Sequence, residues 1–249
     1  MPPSVSSLAS GHRSPHVWGL GSATFVEPGY EHIIELVHQR DADARRHLES
    51  LELALYDPSG SLLRRMEMDT REETLDLAAL VGEVVRAAAR LMVVFDARYD
   101  ERIFPYRPHH YAYLRRRGGS APALYYAVSS ALGGAPDRIG ASRITHFETY
   151  LFLRRPHRER YSVLAGNLSR FASTEAQVTA YYEGGARDNQ EVTLGPKCHA
   201  EVPLAAEHGG RRIERVELKT PFRLASYVVG RREPDGELIL FDHLFTYFK

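Results

Sequence analysis

The sequence predicts an all-β protein with two tandem antiparallel β-sandwich domains, related by an internal repeat, and with little helix. Three observations lead to this prediction. Short segments of alternating apolar and polar residues recur at spacings of roughly 8–12 residues, with Gly, Pro and Asp turns between them. A closing motif occurs twice, at residues 107–114 and 241–248. Similar blocks follow one another in the same order in both halves of the chain.

The closing motif alternates like a strand, so His109 and Tyr113 share one face, and His243 and Tyr247 share the equivalent face of the second copy. Other matches place 28–38 against 156–166, Tyr56 against Tyr182, Val94 against Val228 and Arg98 against Arg232. The predicted organisation is a disordered N-terminus at 1–15, a first sandwich at 16–117, a linker or bridging segment at 118–137 and a second sandwich at 138–249.

Strand and turn signals can be followed through the first half. The predicted elements are a Gly-broken strand at 17–26, a turn at 27–29, a strand at 31–38, a polar loop or helical turn at 39–49, a strand at 51–56, a tight turn at 57–60 and a return strand at 61–68. A strand at 91–97, a turn at 98–101 and a closing strand at 103–114 complete this half. The apolar segment 121–132 has no counterpart in the second half and is interpreted as a bridging strand or a helix.

The segment at 70–91 is ambiguous. Residues 70–73 have the form of a capping box, and the Ala, Leu and Val spacing that follows is typical of a helix. The corresponding part of the second half alternates like strands. The repeat therefore favours a strand at 74–77, a turn of helix at 78–82 and a strand at 83–87.

Composition excludes several classes of protein. The 249 residues are 43% hydrophobic and 26% charged, which is typical of a globular chain. Lys and Arg total 32 and Asp and Glu total 32, so nucleic acid is not the expected partner. The single cysteine, Cys198, forms no internal disulfide and favours a reducing compartment. The N-terminus lacks the apolar core of a secretory signal, and no run is long enough to span a bilayer, so a cytoplasmic location is expected.

A resemblance to a known family rests on a Trp near the start at 17–18, a strand with a polar loop at 33–43, a hairpin strand at 53–60, the unit 93–100 and a final strand ending in Tyr. In this pattern each half resembles the sensory rhodopsin transducer family, small all-β proteins of bacteria. The family's proteins have one domain, whereas this chain is doubled. The resemblance implies a β-sandwich, oligomeric association and a binding or signalling role without catalysis.

The expected ligand-binding residues are Arg98, His109, Tyr113, Arg232, His243 and Tyr247. Arg offers a planar fork to an anion, and Tyr offers a stacking face with a hydroxyl group. His109, His110 and His243, with Asp100 or Asp242, could also bind a metal ion, but the chain has no HxH or HExxH spacing. We therefore assign no metal site and no cofactor.

Three functions stay open on this evidence, of which one is a structural or shell-like assembly protein that would form large particles in light scattering. The first is a noncatalytic binding or signalling module that forms a homo-oligomer and binds a protein partner or a small ligand such as a carbohydrate. Outward-facing aromatic residues in predicted strands, among them Tyr111, Tyr125 and Phe245, favour it. The alternative is an enzyme with a His-based, metal-assisted site between the two β domains, built on His109 and His243. No phosphate-binding loop or nucleophile elbow is present.

Overall fold

A computed structural model describes residues 18–36, 42–82, 90–99, 110–119, 122–132, 146–152, 159–233 and 235–247. Over these residues the chain is all-β, as the sequence predicts. Among the residues described, the helices are α1 (Ala42–His47), α2 (Leu77–Val81) and a 3-10 turn at Glu183–Gly185. No helix within the described ranges is long and apolar enough to cross a membrane.

The first half of the chain forms two antiparallel sheets. Its strands are β1 (Trp18–Val26), β2 (Tyr30–Glu35), β3 (Leu48–Tyr56), β4 (Leu62–Met68), β5 (Thr74–Asp76), β6 (Leu91–Tyr99), β7 (Tyr111–Arg116), β8 (Leu124–Ala127) and β9 (Ser129–Leu132). Sheet A has the order β4-β3-β6-β1-β9, and sheet B has the order β5-β2-β7-β8.

The second half also forms two antiparallel sheets. Its strands are β10 (His146–Leu151), β11 (Glu159–Gly166), β12 (Thr174–Tyr182), β13 (Arg187–Leu194), β14 (His199–Leu204), β15 (Glu207–His208), β16 (Arg211–Thr220), β17 (Ala225–Arg232), β18 (Leu238–His243) and β19 (Phe245–Tyr247). Sheet C has the order β13-β12-β16-β10-β19, with β15 paired to β16, and sheet D has the order β14-β11-β17-β18.

The strand orders of the two halves correspond. If the short strand β15 is set aside, sheet C repeats the connectivity of sheet A, and sheet D repeats that of sheet B. A loop hydrogen bond also recurs, because Val128 N donates to the carbonyl oxygen of His110 at 2.7 Å and Leu244 N donates to that of Ser226 at 3.1 Å. The two halves therefore share a topology, and the predicted sequence repeat is consistent with it.

The equivalence of individual strands differs from the predicted one. Pro28 precedes β2 and Tyr56 ends β3, and the counterparts β11 and β12 of these strands agree with the predicted matches. From β6 onward the two assignments differ, because β6 with Arg98 corresponds to β16 and not to the strand of Arg232. Likewise β7 with Tyr113 corresponds to β17, not to the strand of Tyr247. Alternation and a following turn are shared by most strands, so they do not distinguish one strand from its neighbour.

The segment 118–137, which the sequence indicates as a linker or bridging segment, contains β8 and β9. These strands complete sheets B and A, and they correspond to β18 and β19. The first half therefore extends through Leu132.

In the ambiguous region at 70–91, Thr74–Asp76 is a strand and Leu77–Val81 is a helix, as predicted. The Asp76 carboxylate accepts hydrogen bonds from the backbone N–H groups of the first helical turn. The predicted disordered N-terminus and the predicted strand at 83–87 lie outside the described residues.

In the β3–β4 hairpin, Gly60 is required both by the turn and by the contact with the second half of the chain. Gly60 has φ +84°, and Ser61 N donates to the Asp57 carboxylate at 3.0 Å. A side chain at Gly60 would be strained by this φ and would place its Cβ 2.5 Å from the Pro196 carbonyl oxygen. The glycine therefore permits both the turn and the close approach of the second half.

Sheet D is buried on both faces. One face contributes Val163, Val228 and Leu240 to the core that it shares with sheet C. The opposite face contributes Leu164, Tyr227, Val229 and Phe241 to the core of the first half. Strand β11 is accordingly a near-continuous apolar run at its centre, which is the pattern expected of a sheet covered on both sides.

The outer face of sheet A receives sheet D. Sheet B packs on the inner face, and the opposite face of sheet A presents Phe25 and Met92 to the second half. The approach is close, because a Cβ at Gly166 would lie 2.5 Å from Met92 Sδ and 3.1 Å from Phe25. His199 adds a ring contact to Phe25 at 5.3 Å. The halves are therefore joined by a sheet-on-sheet contact between outer faces.

Tyr227 is the anchor of this contact. Its ring packs edge-on against Phe25 at 5.8 Å and against Tyr126 at 5.7 Å. Its hydroxyl group donates to the Ala23 carbonyl oxygen at 2.6 Å and accepts from Ser129 N at 2.6 Å. Ala23 and Ser129 are opposite one another on β1 and β9, so one phenol joins sheet D to two strands of sheet A.

A buried ionic cluster lies at the rim of the same contact. The Glu27 carboxylate, 5% exposed, binds Arg90 at 2.7 Å within the first half and Arg231 at 2.5 Å in the second half. Arg90 also binds Glu201 at 2.6 Å. Each buried charge is thus paired, which is the condition for tolerating charges at a dry contact.

Replacing Tyr227 with Phe should lower the free energy of unfolding by about 1–3 kcal/mol, because Ala23 O and Ser129 N would lose a buried partner. Urea unfolding followed by circular dichroism measures the change. Tyr125→Phe is the matched control, because the side chain of Tyr125 is 59% exposed and its hydroxyl can bond to water. Equal effects of the two substitutions would contradict the anchor role of Tyr227.

Replacing Glu27 with Gln should destabilise the protein by about 3–5 kcal/mol, because Arg231 would lose its carboxylate partner at the contact and Arg90 would keep only the one from Glu201. Glu52→Gln serves as the control. It breaks an exposed pair with Arg65 at 3.4 Å, for which we expect less than about 1 kcal/mol. The urea midpoints of unfolding of the two variants are compared with that of the wild type. A shift for Glu27→Gln no larger than that for Glu52→Gln would show that the ionic cluster does not stabilise the contact between the halves.

Candidate functional site

The structure distributes the predicted ligand-binding residues over four sheets. Arg98 is exposed near the end of β6 in sheet A, and Tyr113 lies on β7 in sheet B. Arg232 and His243 lie on β17 and β18 in sheet D. Tyr247 lies on β19 of sheet C. Arg98 and Tyr113 thus lie on different sheets, and so do His243 and Tyr247, whereas Arg232 and His243 share sheet D.

Two of these residues have local partners that account for them. Arg232 binds the Asp235 carboxylate at 2.5 Å and the buried Glu237 carboxylate at 2.6 Å, so it holds the β17–β18 turn. The hydrogen bond from Arg232 lowers the pKa of Asp235 to about 2. His243 places Nδ1 3.3 Å from Asp242 Oδ1, and its ring lies 4.6 Å from that of Phe245.

His109 lies outside the described residues, so its predicted approach to His243 stays a prediction. His110, the neighbouring candidate, has a buried side chain whose ring packs against Phe95 at 5.4 Å. Within the parts of the chain that the structure describes, no group of three or more His, Cys, Asp or Glu residues is arranged to hold a metal ion.

Tyr113 belongs to an exposed surface on sheet B that the sequence indicates only in part. Strand β7 alternates, with Ala112 and Leu114 in the core and Tyr111 and Tyr113 on the outer face. Strand β8 alternates in the same way, with Tyr126 in the core and Tyr125 outside. The pairing of β2, β7 and β8 brings the outer residues together. We call this surface the tyrosine face, and it comprises Ile33, Glu35, Tyr111, Tyr113 and Tyr125.

Stacking orders the side chains of the tyrosine face. The rings of Tyr111 and Tyr125 lie 5.5 Å apart at an interplanar angle of 3°, and Tyr125 is 59% exposed. Beside them, the Arg115 guanidinium lies 5.9 Å from the centre of the Tyr113 ring and binds Glu31 at 2.7 Å. The face therefore contains one stacked pair of phenol rings, and a third tyrosine, Tyr113, beside a cation.

Carboxylates line the other end of the tyrosine face. Glu35 accepts a long hydrogen bond of 3.5 Å from the Tyr125 hydroxyl group. Glu73 and Thr74 close the rim of a shallow hollow of about 210 Å³ that the three tyrosines and Ile33 also line. Arg45 lies 4.0 Å from Glu73. The hollow thus combines apolar ring faces with acceptor oxygens.

A buried polar cluster lies beneath this surface. The Tyr126 hydroxyl group is 2.6 Å from Thr24 Oγ1 and 2.8 Å from His32 Nε2. Burial raises the pKa of Tyr126 well above its usual value and lowers the pKa of His32 to about 3. Both groups are therefore neutral at physiological pH, and they orient β8 and so position Tyr125.

A second exposed surface lies on the opposite end of the molecule, on the outer face of sheet C. Its inner residues, such as Val216 and Leu218, pack in the second core, and the alternate residues face outward. The sheet C outer face comprises Phe147, Thr149, Leu151, Tyr181, Arg215, Glu217, Lys219 and Phe245. The side chains of Leu151 and Phe245 are 66% and 53% exposed, and Arg215 stacks 4.0 Å from the centre of the Tyr181 ring.

Three comparisons with known proteins found no match to the chain among protein-family models, curated proteins or solved structures. The resemblance to the sensory rhodopsin transducer family therefore stays a prediction, and the assignment of a function depends on the geometry of this molecule.

The pKa of His32 predicts an acid-dependent loss of stability. The folded-state pKa of about 3 lies below the unfolded value near 6.5, so the unfolded chain binds the proton more readily. The free energy of unfolding should fall by about 1.4 kcal/mol per pH unit as the pH drops from about 6.5 toward 3, in addition to the effects of other groups. Urea unfolding of the wild type and of His32→Gln, which cannot titrate, isolates this contribution. Parallel pH profiles of the two proteins would contradict it.

Proposed function

We propose that the chain is a noncatalytic binding module that oligomerises and binds a protein partner through the tyrosine face. The observation that carries the proposal is the parallel, stacked pair of Tyr111 and Tyr125 on the outer face of sheet B beside Tyr113. Tyr is enriched at protein interfaces because it supplies a large, rigid contact area with a hydroxyl group at its end. Stacking already orders these rings, so binding would cost little further side-chain entropy.

The shape of the surface supports binding rather than catalysis. The hollow measures about 210 Å³ and opens on a sheet face, whereas small-molecule sites are typically clefts of about 300–1,000 Å³. Chemical steps gain from enclosure and the exclusion of water, which an open sheet face does not supply. An open face with a stacked pair of phenol rings is better suited to the surface of another protein.

A carbohydrate is the second candidate ligand, and one observation favours it. The stacked rings of Tyr111 and Tyr125 lie next to the carboxylates of Glu35 and Glu73. A sugar ring can lie on a phenol face while its hydroxyl groups donate to carboxylate oxygens. The hollow has room for a single small ring at this position.

Cellular location and signalling belong to the same proposal. Cys198 is a free thiol whose Sγ donates to the Ser59 carbonyl oxygen at 2.9 Å, which suits a reducing compartment such as the cytoplasm. A signalling role in a bacterium follows only from the resemblance to the sensory rhodopsin transducer family.

Tyr125→Ala should weaken association or ligand binding at least tenfold, because it removes one ring of the stacked pair. Sedimentation velocity over a range of protein concentrations measures association, and thermal shift with a panel of oligosaccharides measures sugar binding. Phe171→Ala is the control, since Phe171 is an aromatic residue with 73% exposure elsewhere on the surface. A wild-type protein that stays monomeric and gains no stability from any saccharide would overturn the proposal.

A further inference from the structure

The position of the tyrosine face in the first half is occupied in the second half by a protein contact. Sheet D takes the place of sheet B, and the recurring loop hydrogen bonds of His110 and Ser226 align β7 with β17. Tyr111 pairs with Glu35 and Ala127, and Tyr227 pairs with Leu164 and His243. Glu35, Tyr111, Tyr113 and Tyr125 therefore correspond to Leu164, Tyr227, Val229 and Phe241.

All four counterparts are buried against the first half. Leu164, Tyr227, Val229 and Phe241 are each at most 2% exposed and belong to the hydrophobic core of the first half. The surface that receives them is the outer face of sheet A, with Phe25 and Met92, together with Tyr126 on the edge strand β8 of sheet B, whose ring lies 4.8 Å from that of Phe241. The counterpart of the tyrosine face is therefore covered, within the same chain, by another part of the protein.

The contact between the halves is heterologous. Sheet D, which has the strand order of sheet B, packs on sheet A, which has a different strand order. The two contacting surfaces are therefore not equivalent to each other. A heterologous contact between two equivalent units leaves the complementary surfaces open at the two ends, and repetition of the contact produces rings or filaments. Here the complementary surfaces are the tyrosine face on sheet B and the sheet C outer face.

The sheet C outer face is the counterpart of the surface that receives sheet D. Sheet C takes the place of sheet A, so β10 and β19 correspond to β1 and β9. Leu151 and Phe245 are the large apolar residues exposed on these strands. Arg215 and Lys219 on the neighbouring strand β16 offer positive charge to the Glu35 and Glu73 end of the tyrosine face.

We propose that the tyrosine face of one copy of the chain docks on the sheet C outer face of a second copy, head to tail, in the arrangement that joins sheets D and A within the chain. This inference rests on the proposed function, in that it names the protein partner of the tyrosine face. It differs from a twofold dimer, in which the tyrosine faces of two copies would meet each other.

The equivalence assigns a specific role to Tyr111. Its counterpart Tyr227 bonds the Ala23 carbonyl oxygen and Ser129 N, which are opposite residues on β1 and β9. The corresponding opposite residues on β10 and β19 are Thr149 and Phe245. In the assembly, the Tyr111 hydroxyl group bonds the Thr149 carbonyl oxygen and Phe245 N of the second copy.

A complementation experiment tests the head-to-tail arrangement. Tyr125→Glu disables the tyrosine face, and Phe245→Glu disables the sheet C outer face, because a charge at the centre of a contact is not solvated. Both residues are more than half exposed, so the fold should persist, and circular dichroism verifies it. Each variant alone should sediment as a monomer, and an equimolar mixture should form a one-to-one heterodimer through the remaining intact faces.

Three other outcomes would contradict the head-to-tail arrangement. If Phe245→Glu still self-associates like the wild type, the tyrosine face meets a different surface, and the head-to-tail inference fails while the proposed function stands. If Tyr125→Glu associates like the wild type, the tyrosine face is not the binding surface, and both fail. A wild type that stays monomeric while a saccharide stabilises it, with the stabilisation lost in Tyr125→Glu, identifies the face as a carbohydrate site and overturns the inference. Phe171→Glu is the control and should assemble normally.

Discussion

The structure depends on the burial of sheet D between two cores. Most sandwich sheets hide one face and expose the other, but the strands at the centre of sheet D present apolar side chains in both directions. Val163 and Val228 complete the core of the second half, and Leu164 and Val229 complete that of the first. Neither half therefore keeps its present surface when separated, because separation would expose the outer face of sheet A together with that of sheet D.

Polar interactions determine how the two halves are placed relative to each other across this apolar contact. The Tyr227 hydroxyl group reaches the backbone of two strands of sheet A, and the Glu27 carboxylate neutralises arginines from both halves. Apolar burial alone tolerates sliding, whereas buried donors and acceptors are satisfied in one arrangement only. The chain thus combines a large non-directional attraction with a few directional bonds that select one relative placement of the halves.

Sheets B and D, which have corresponding strand orders, present different surfaces. At the positions where sheet D presents Leu164, Val229 and Phe241, sheet B presents Glu35, Tyr113 and Tyr125. The first set is aliphatic or purely aromatic, as suits a permanently dry contact. The second set carries hydroxyl and carboxylate groups that water can solvate, as suits a surface that is exposed before it binds.

Much of this organisation is determined by the sequence alone. The two-residue period predicts strands, and the turn residues separate them, so the all-β class follows directly. The same period determines that Tyr111 and Tyr113 leave β7 on one side while Ala112 and Leu114 enter the core. It also places Glu35 on a surface of β2, although nothing in the local pattern relates Glu35 to the tyrosines.

Only the tertiary structure decided which strands are neighbours. The pairing of β7 with β8 stacks Tyr125 on Tyr111, and it shows that the apolar segment at 121–132 is part of the first half. The strand order also decides that Arg98 and Tyr113 lie on different sheets. Alternation is a local property that nearly every strand shares, whereas strand order is set by which faces can be buried together across the whole chain.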